Sequence, residues 1–166
     1  MKIMEMLTEA SIEYVKNQVK SGIDCFQLFE TYSGIISNED YKNFILPLST
    51  KILIEARESG VPTIFFPKNF NEGLKYINKE MCDYVSVDYD ISLDYARNLL
   101  DSEVGIQGNM DPKIFYQEID EIENYLKSLI DFGSKNTDWI FNLGHGVLPE
   151  TDPNMMDYLV KTIKNY

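Results

Sequence analysis

A chain of 166 residues, 44% hydrophobic and 13% aromatic, carries enough apolar side chain to bury a core, which excludes a disordered chain and fits one globular unit over residues 1–166. Its net charge of −12 excludes nucleic acid, whose phosphates need a basic surface, and anionic membrane as partners. No run of eighteen apolar residues occurs and the opening residues lack the apolar stretch of a signal peptide, so a cytoplasmic protein is expected.

The first twenty residues place Met4, Leu7, Ile12, Val15 and Val19 at mixed helical spacings and predict an amphipathic helix ending near Gly22. Ile23 to Phe29 reads as a strand, stopped by the polar turn from Glu30 to Gly34. Ser37-Asn38-Glu39-Asp40 resembles a capping box, and Tyr41, Phe44, Ile45, Leu48 and Ile52 continue a helix to Gly60 that Pro47 is expected to kink. Pro62 to Phe66 is the second strand, followed by Pro67-Lys68-Asn69 and a short helix through Leu74 and Ile77. Tyr84 to Asp88 is the third, with a helix from Ser92 to Leu100. Val104 to Gln107 is the fourth, ended by Gly108-Asn109-Met110-Asp111-Pro112 and followed by a helix carrying Ile119, Ile122, Leu126, Leu129 and Ile130. Trp139 to Phe141 is the fifth, running into Asn142-Leu143-Gly144-His145-Gly146, and a last helix carries Met156, Leu159, Val160 and Ile163.

Strands alternating with helices across short turns predict an α/β fold with a parallel sheet. Two layouts fit: an open doubly wound sheet or a segment of a (β/α)₈ barrel. In either, the residues with chemical potential fall just after the carboxyl ends of strands, where such folds bind ligands: Thr31, Lys68, Asp88, Asn109 with Asp111, and His145.

His145 is the sole histidine and sits between glycines, which favour a sharp turn and close ligand approach; its imidazole can donate to a carboxylate or pass a proton. Each of the others has a simpler structural reading. Thr31 can cap a turn, Lys68 can be a solvated lysine, and Asp88 and Asp111 can cap helices. The cysteines, Cys25 and Cys82, are far apart with no CxxC pair, and Cys25 falls within the first apolar run, so both are expected as reduced core thiols. One histidine and two distant cysteines build no typical zinc site, and GxGxxG, the P-loop and GxSxG are all missing, so neither metal nor cofactor is expected.

Four runs, Leu28-Phe29-Glu30-Thr31, Phe66-Pro67-Lys68, Gln107-Gly108-Asn109-Met110-Asp111-Pro112 and Asn142-Leu143-Gly144-His145-Gly146, resemble in order and separation the carboxy-terminal half of uroporphyrinogen decarboxylases. The last two are the specific ones, and the match covers residue 20 to the end. The resemblance implies a partial (β/α)₈ barrel comprising its last five units. It also implies a cofactor-free lyase of porphyrin and haem biosynthesis, which removes the acetate carboxyls of uroporphyrinogen III to give coproporphyrinogen III.

By the same resemblance, Thr31, usually serine in the family, and His145 are substrate-binding; Lys68 matches a family lysine with no direct contact assigned to it, and Lys68 and Asn109 are candidates for the pocket. Threonine keeps the hydroxyl but adds a methyl. The family's arginine pair and central aspartate belong to an amino-terminal half whose motifs this sequence lacks. The resemblance therefore implies a substrate rim without the catalytic centre, working as a homodimer or with an amino-terminal half. Two alternatives belong to the same superfamily: a non-catalytic or partner-completed binding module, and a corrinoid-dependent methyltransferase. The latter loses its chemistry because Pro67-Lys68-Asn69 has no HxC zinc pair.

Overall fold

A computed structural model describes residues 2–165; Met1 and Tyr166, at the ends of the predicted first and last segments, lie outside the described residues. The chain runs α1 (Lys2–Lys20), β1 (Phe26–Glu30), α2 (Asn38–Asp40), a π turn (Tyr41–Ile45), α3 (Leu46–Glu58), β2 (Thr63–Pro67), a 3₁₀ segment (Asn71–Tyr76), β3 (Tyr84–Ser86) and α4 (Leu93–Leu99). It continues through β4 (Gly105–Gln107), a further 3₁₀ segment (Pro112–Tyr116; a short one also spans Ser33–Ile35 after β1), α5 (Ile119–Ser128), α6 (Ile130–Lys135), β5 (Trp139–Ile140) and α7 (Pro153–Ile163).

The strands form one five-stranded sheet, all parallel, in the order β1-β2-β3-β4-β5. That order decides between the two layouts. A doubly wound sheet reverses its strand order at a switch point and covers both faces with helices, whereas strictly consecutive parallel neighbours place every crossover on one side, as in a barrel. Phe26, Phe65, Val85 and Ile106 point to the side where Val15 of α1, Leu53 and Ala56 of α3, Ala96 of α4 and Phe132 of α6 close the main core. The fold is therefore five consecutive units of a (β/α)₈ barrel. A smaller cluster of Met110, Phe115, Ile122, Leu126 and Leu159 seats α5 and α7.

The register sets the other, concave face: Gln27 pairs with Ile64, Phe29 with Phe66, Ile64 with Tyr84, Ser86 with Gln107, and Gln107 with Ile140. In a closed barrel this face would pack against the remaining strands. Here Phe29 is 64% exposed and Ile140 38%. The strands read as continuous apolar runs because the architecture asks for apolar residues on both faces.

Local signals place most ends. Gly22 takes φ +84, the left-handed conformation that closes α1. Ser37, Ser92, Asp111 and Asp152 each accept a backbone N–H at an N-cap, so Asp111 takes its simpler role. Pro47 sits in the first turn of α3 and the irregularity falls before it, as the π turn.

Three expectations are corrected. The predicted helix through Leu129 and Ile130 breaks there into α5 and α6. Leu7 is exposed, on a flank it shares with Ile3 and Tyr14, because α1 packs on α3 and only the Thr8–Val15 side faces it. Cys25 is exposed, since β1 starts one residue later, whereas Cys82 is buried and burial pushes its thiol up to about 12.

Arg97 locks two units together. Its guanidinium donates to Asp138 Oδ2 at 3.1 Å and to the carbonyls of Asp101 and Val104 at 2.7 and 2.8 Å, tying α4 to both turns that feed β4 and β5. Arg97→Ala removes the side-chain donors from both carbonyls, Asp101 O keeping only Val104 N, and is expected to cost about 2 kcal/mol, read as a lower urea midpoint; Arg97→Lys should recover less than half, having no planar fork.

Candidate functional site

At the carboxyl rim, the segments after β1, β2, β3 and β5 are bonded to one another. Lys68 N donates to Glu30 O at 3.1 Å, and Ser33 Oγ donates to the carbonyls of Glu30 and Lys68, so the turn after β1 is fixed to the turn after β2. Asn69, at φ 60, turns its N–H onto Asp88 Oδ2 at 2.5 Å, fixing the segment after β2 to the segment after β3.

After β5, Gly144 N donates to Met110 O, and a Cβ at position 144 would stand 2.4 Å from Tyr89 N and 2.9 Å from Asp88 C. Close approach at Gly144 is thus between two backbone segments rather than to a ligand, and the space around Gly146 is open. This packing aims His145 inward. Its Nε2 lies 3.1 Å from Lys68 Nζ, across 77 positions of sequence, and its ring meets that of Tyr89 edge-on at 6.5 Å. Lysine carries only donors, so Nε2 accepts and the ring proton sits on Nδ1, which faces Gly146 O at 3.3 Å.

Below His145 is a cavity of about 220 Å³ lined by Gln27, Phe29, Phe66, Ser86, Asn142 and Val147 among others. Thr31 follows β1 immediately and is exposed at the rim, outside that lining. Asn109 is buried; its amino group donates to the carbonyls of Asp88 at 2.7 Å and Ile91 at 2.5 Å, so it braces the segment after β3. Asp88 caps no helix. Its buried carboxylate is held by Asn69 N, and burial raises its pKa against the opposing pull of that N–H, Lys68 and His145. Sequence reasoning missed Gln27, Ser86 and Gln107; the signal was a polar residue at an inward strand position, hidden among apolar neighbours.

A family model described as "Uroporphyrinogen decarboxylase (URO-D)" matches residues 1–166. The chain belongs to the uroporphyrinogen decarboxylase family. Among its relatives, a uroporphyrinogen decarboxylase of Geotalea daltonii is 34% identical over 97% of this chain and 47% of its own length, and one of Cereibacter sphaeroides is 35% identical over 98% and 48%. The chain thus spans about half the length of the relatives it matches. A solved methyltransferase from Methanosarcina mazei shares the fold, with a TM-score of 0.81 at 20% identity over 95% of this chain and 47% of that one.

The raised pKa of Asp88 gives a signed prediction for this decarboxylase-family chain. Because the folded state resists ionising it, Asp88 lowers stability at neutral pH, and the penalty fades as pH falls through the raised value toward the ordinary 3.8. Asp88→Asn keeps an acceptor for Asn69 N–H and removes the charge. It should therefore be the more stable protein at pH 7 and equal to wild type near pH 4, as measured by urea unfolding at both.

Proposed function

We propose that this chain supplies the substrate-holding side of a uroporphyrinogen decarboxylase, acting on the acetate arms of uroporphyrinogen III to give coproporphyrinogen III. The Lys68–His145 pair carries the reading: a cation 3.1 Å from an imidazole that lines an inward-facing cavity, the two brought from opposite parts of the sequence, suits a substrate that is a polycarboxylate. The family membership of the whole chain supports it. The remaining ammonium protons of Lys68, aimed by His145 Nε2, bind a carboxylate, the Thr31 hydroxyl donates to a second at the rim, and Asn109 holds the segment after β3 in place.

The reaction asks little of a cofactor. A proton adds to the pyrrole carbon next to the one that bears the acetate arm, the bond from the arm to its carboxylate breaks, carbon dioxide leaves, and the electron pair flows through the arm-bearing carbon into the protonated pyrrole. A second proton then reaches the arm, leaving a methyl group, and the ring proton departs. Protein groups hold the carboxylates and stabilise the cation by fixed charge. With a net charge of −12, further cations and the acid and base come from the complementary half of the barrel.

The open concave face, with Phe29 and Ile140 exposed, and the apolar flank of α1 with Ile3, Leu7 and Tyr14 support that pairing. Among the described residues no helix is long and apolar enough to cross a membrane, and a cytoplasmic site of action fits the biosynthetic role. The test is to coexpress the chain with the amino-terminal half of the Geotalea daltonii relative and supply uroporphyrinogen III anaerobically. Coproporphyrinogen is expected from the complex; halves that associate by light scattering yet form none would overturn the reading.

A further inference from the structure

Inward positions of a (β/α)₈ barrel are ordinarily filled by bulky branched residues that pack in layers. Three strands here depart from that rule. Gln27 of β1, Ser86 of β3 and Gln107 of β4 share the concave face, and Ser86 and Gln107 are buried, 3% and 5% exposed. They are bonded in a definite sense: Gln107 Nε2 donates to Ser86 Oγ at 3.2 Å and, more distantly, to Gln27 Oε1 at 3.5 Å. Both protons of that amide are thereby used.

The consequence lies in what remains. Ser86 Oγ accepts, so its own proton is free to point elsewhere. Gln27 accepts through its carbonyl, so its amino group is free as well. Among the described residues neither group donates to another protein atom, and both residues line the cavity beneath His145. The floor therefore presents hydrogen-bond donors, and the Lys68 ammonium stands beside the cavity on His145, which lines it. Donors at the floor and an ammonium next to the wall suit a carboxylate at each level.

We infer that Ser86 and Gln27 bind a second substrate carboxylate at the cavity floor, and that Gln107 is the positioning residue that turns their donors inward. This rests on the polycarboxylate reading above and extends it to residues deeper in the barrel than Thr31 and His145. Gln107→Glu is the informative variant, because it keeps the shape but replaces the donor with an acceptor, drawing the Ser86 proton away from the cavity.

Fluorescence titration with uroporphyrin III, on the chain alone and paired with the amino-terminal half, tests this. A detergent-dispersed octamethyl ester serves as the uncharged probe. Ser86→Ala and Gln27→Leu should each weaken binding of the acid about 5- to 20-fold, and Gln107→Glu at least as much, with the ester changed less than 2-fold. A merely structural role would weaken both probes alike, which would overturn the inference. It also fails if all three variants bind the acid like wild type while His145→Ala does not, and in that case the site reading stands. If His145→Ala and Lys68→Met also bind like wild type, or wild type binds nothing in either form, the site reading falls and this inference with it.

Discussion

Gly144→Ala is expected to lower the thermal unfolding midpoint by about 6–12 °C. The obstacle is backbone on both counts, Tyr89 N at 2.4 Å and Asp88 C at 2.9 Å. A flexible side chain could swing away, but these atoms are held by Asn69 N on Asp88 and by Asn109 on the Asp88 and Ile91 carbonyls. The segment after β5 must therefore retreat, straining Gly144 N on Met110 O and pulling His145 from Lys68. Overpacking of this kind costs about 3 kcal/mol. Gly146→Ala is the control, since a Cβ there meets nothing within 4 Å and should cost under about 0.5 kcal/mol. Calorimetric scans showing equal midpoints for the two variants would mean that the close approach at Gly144 imposes nothing.

The strands and caps were legible because their signals are local: apolar runs bounded by turns, and a hydroxyl or carboxylate three or fewer positions before a free N–H. Strand order was not. Consecutive parallel pairing is a tertiary property, and both candidate layouts write the same β-then-α alternation into sequence. The polar floor stayed hidden for a related reason. Gln27 lies between Phe26 and Leu28, and Ser86 between Val85 and Val87; in a strand apolar on both faces, a lone polar residue reads as tolerated until register shows three of them meeting.

The rim residues were legible as positions after strands but not as roles. Asp88, expected as a helix cap, binds back to the segment after β2, and Asn109, expected in the pocket, spends its donors on carbonyls. Only the pairing of Lys68 with His145 gives the rim a chemical character, and a separation of 77 residues leaves no periodic trace.

That pairing yields the other large effect: Lys68→Glu should weaken uroporphyrin III binding by about 100-fold. Lys68 is half-buried, its ammonium donating to His145 Nε2. Lys68→Met removes one charge-assisted donor and should cost about tenfold. Glutamate does more, because a carboxylate facing an arriving carboxylate costs several kcal/mol, and it also competes for the imidazole as a hydrogen-bond partner. Lys68→Arg keeps the charge and should stay within a few-fold of wild type. Salt separates charge from shape: raising ionic strength should weaken wild type and the arginine variant while leaving Lys68→Glu weak or slightly improved. Fluorescence titrations at low and high salt read both quantities. A glutamate variant that binds as wild type does would mean that Lys68 serves the solvent rather than the substrate, and that His145 alone defines the rim.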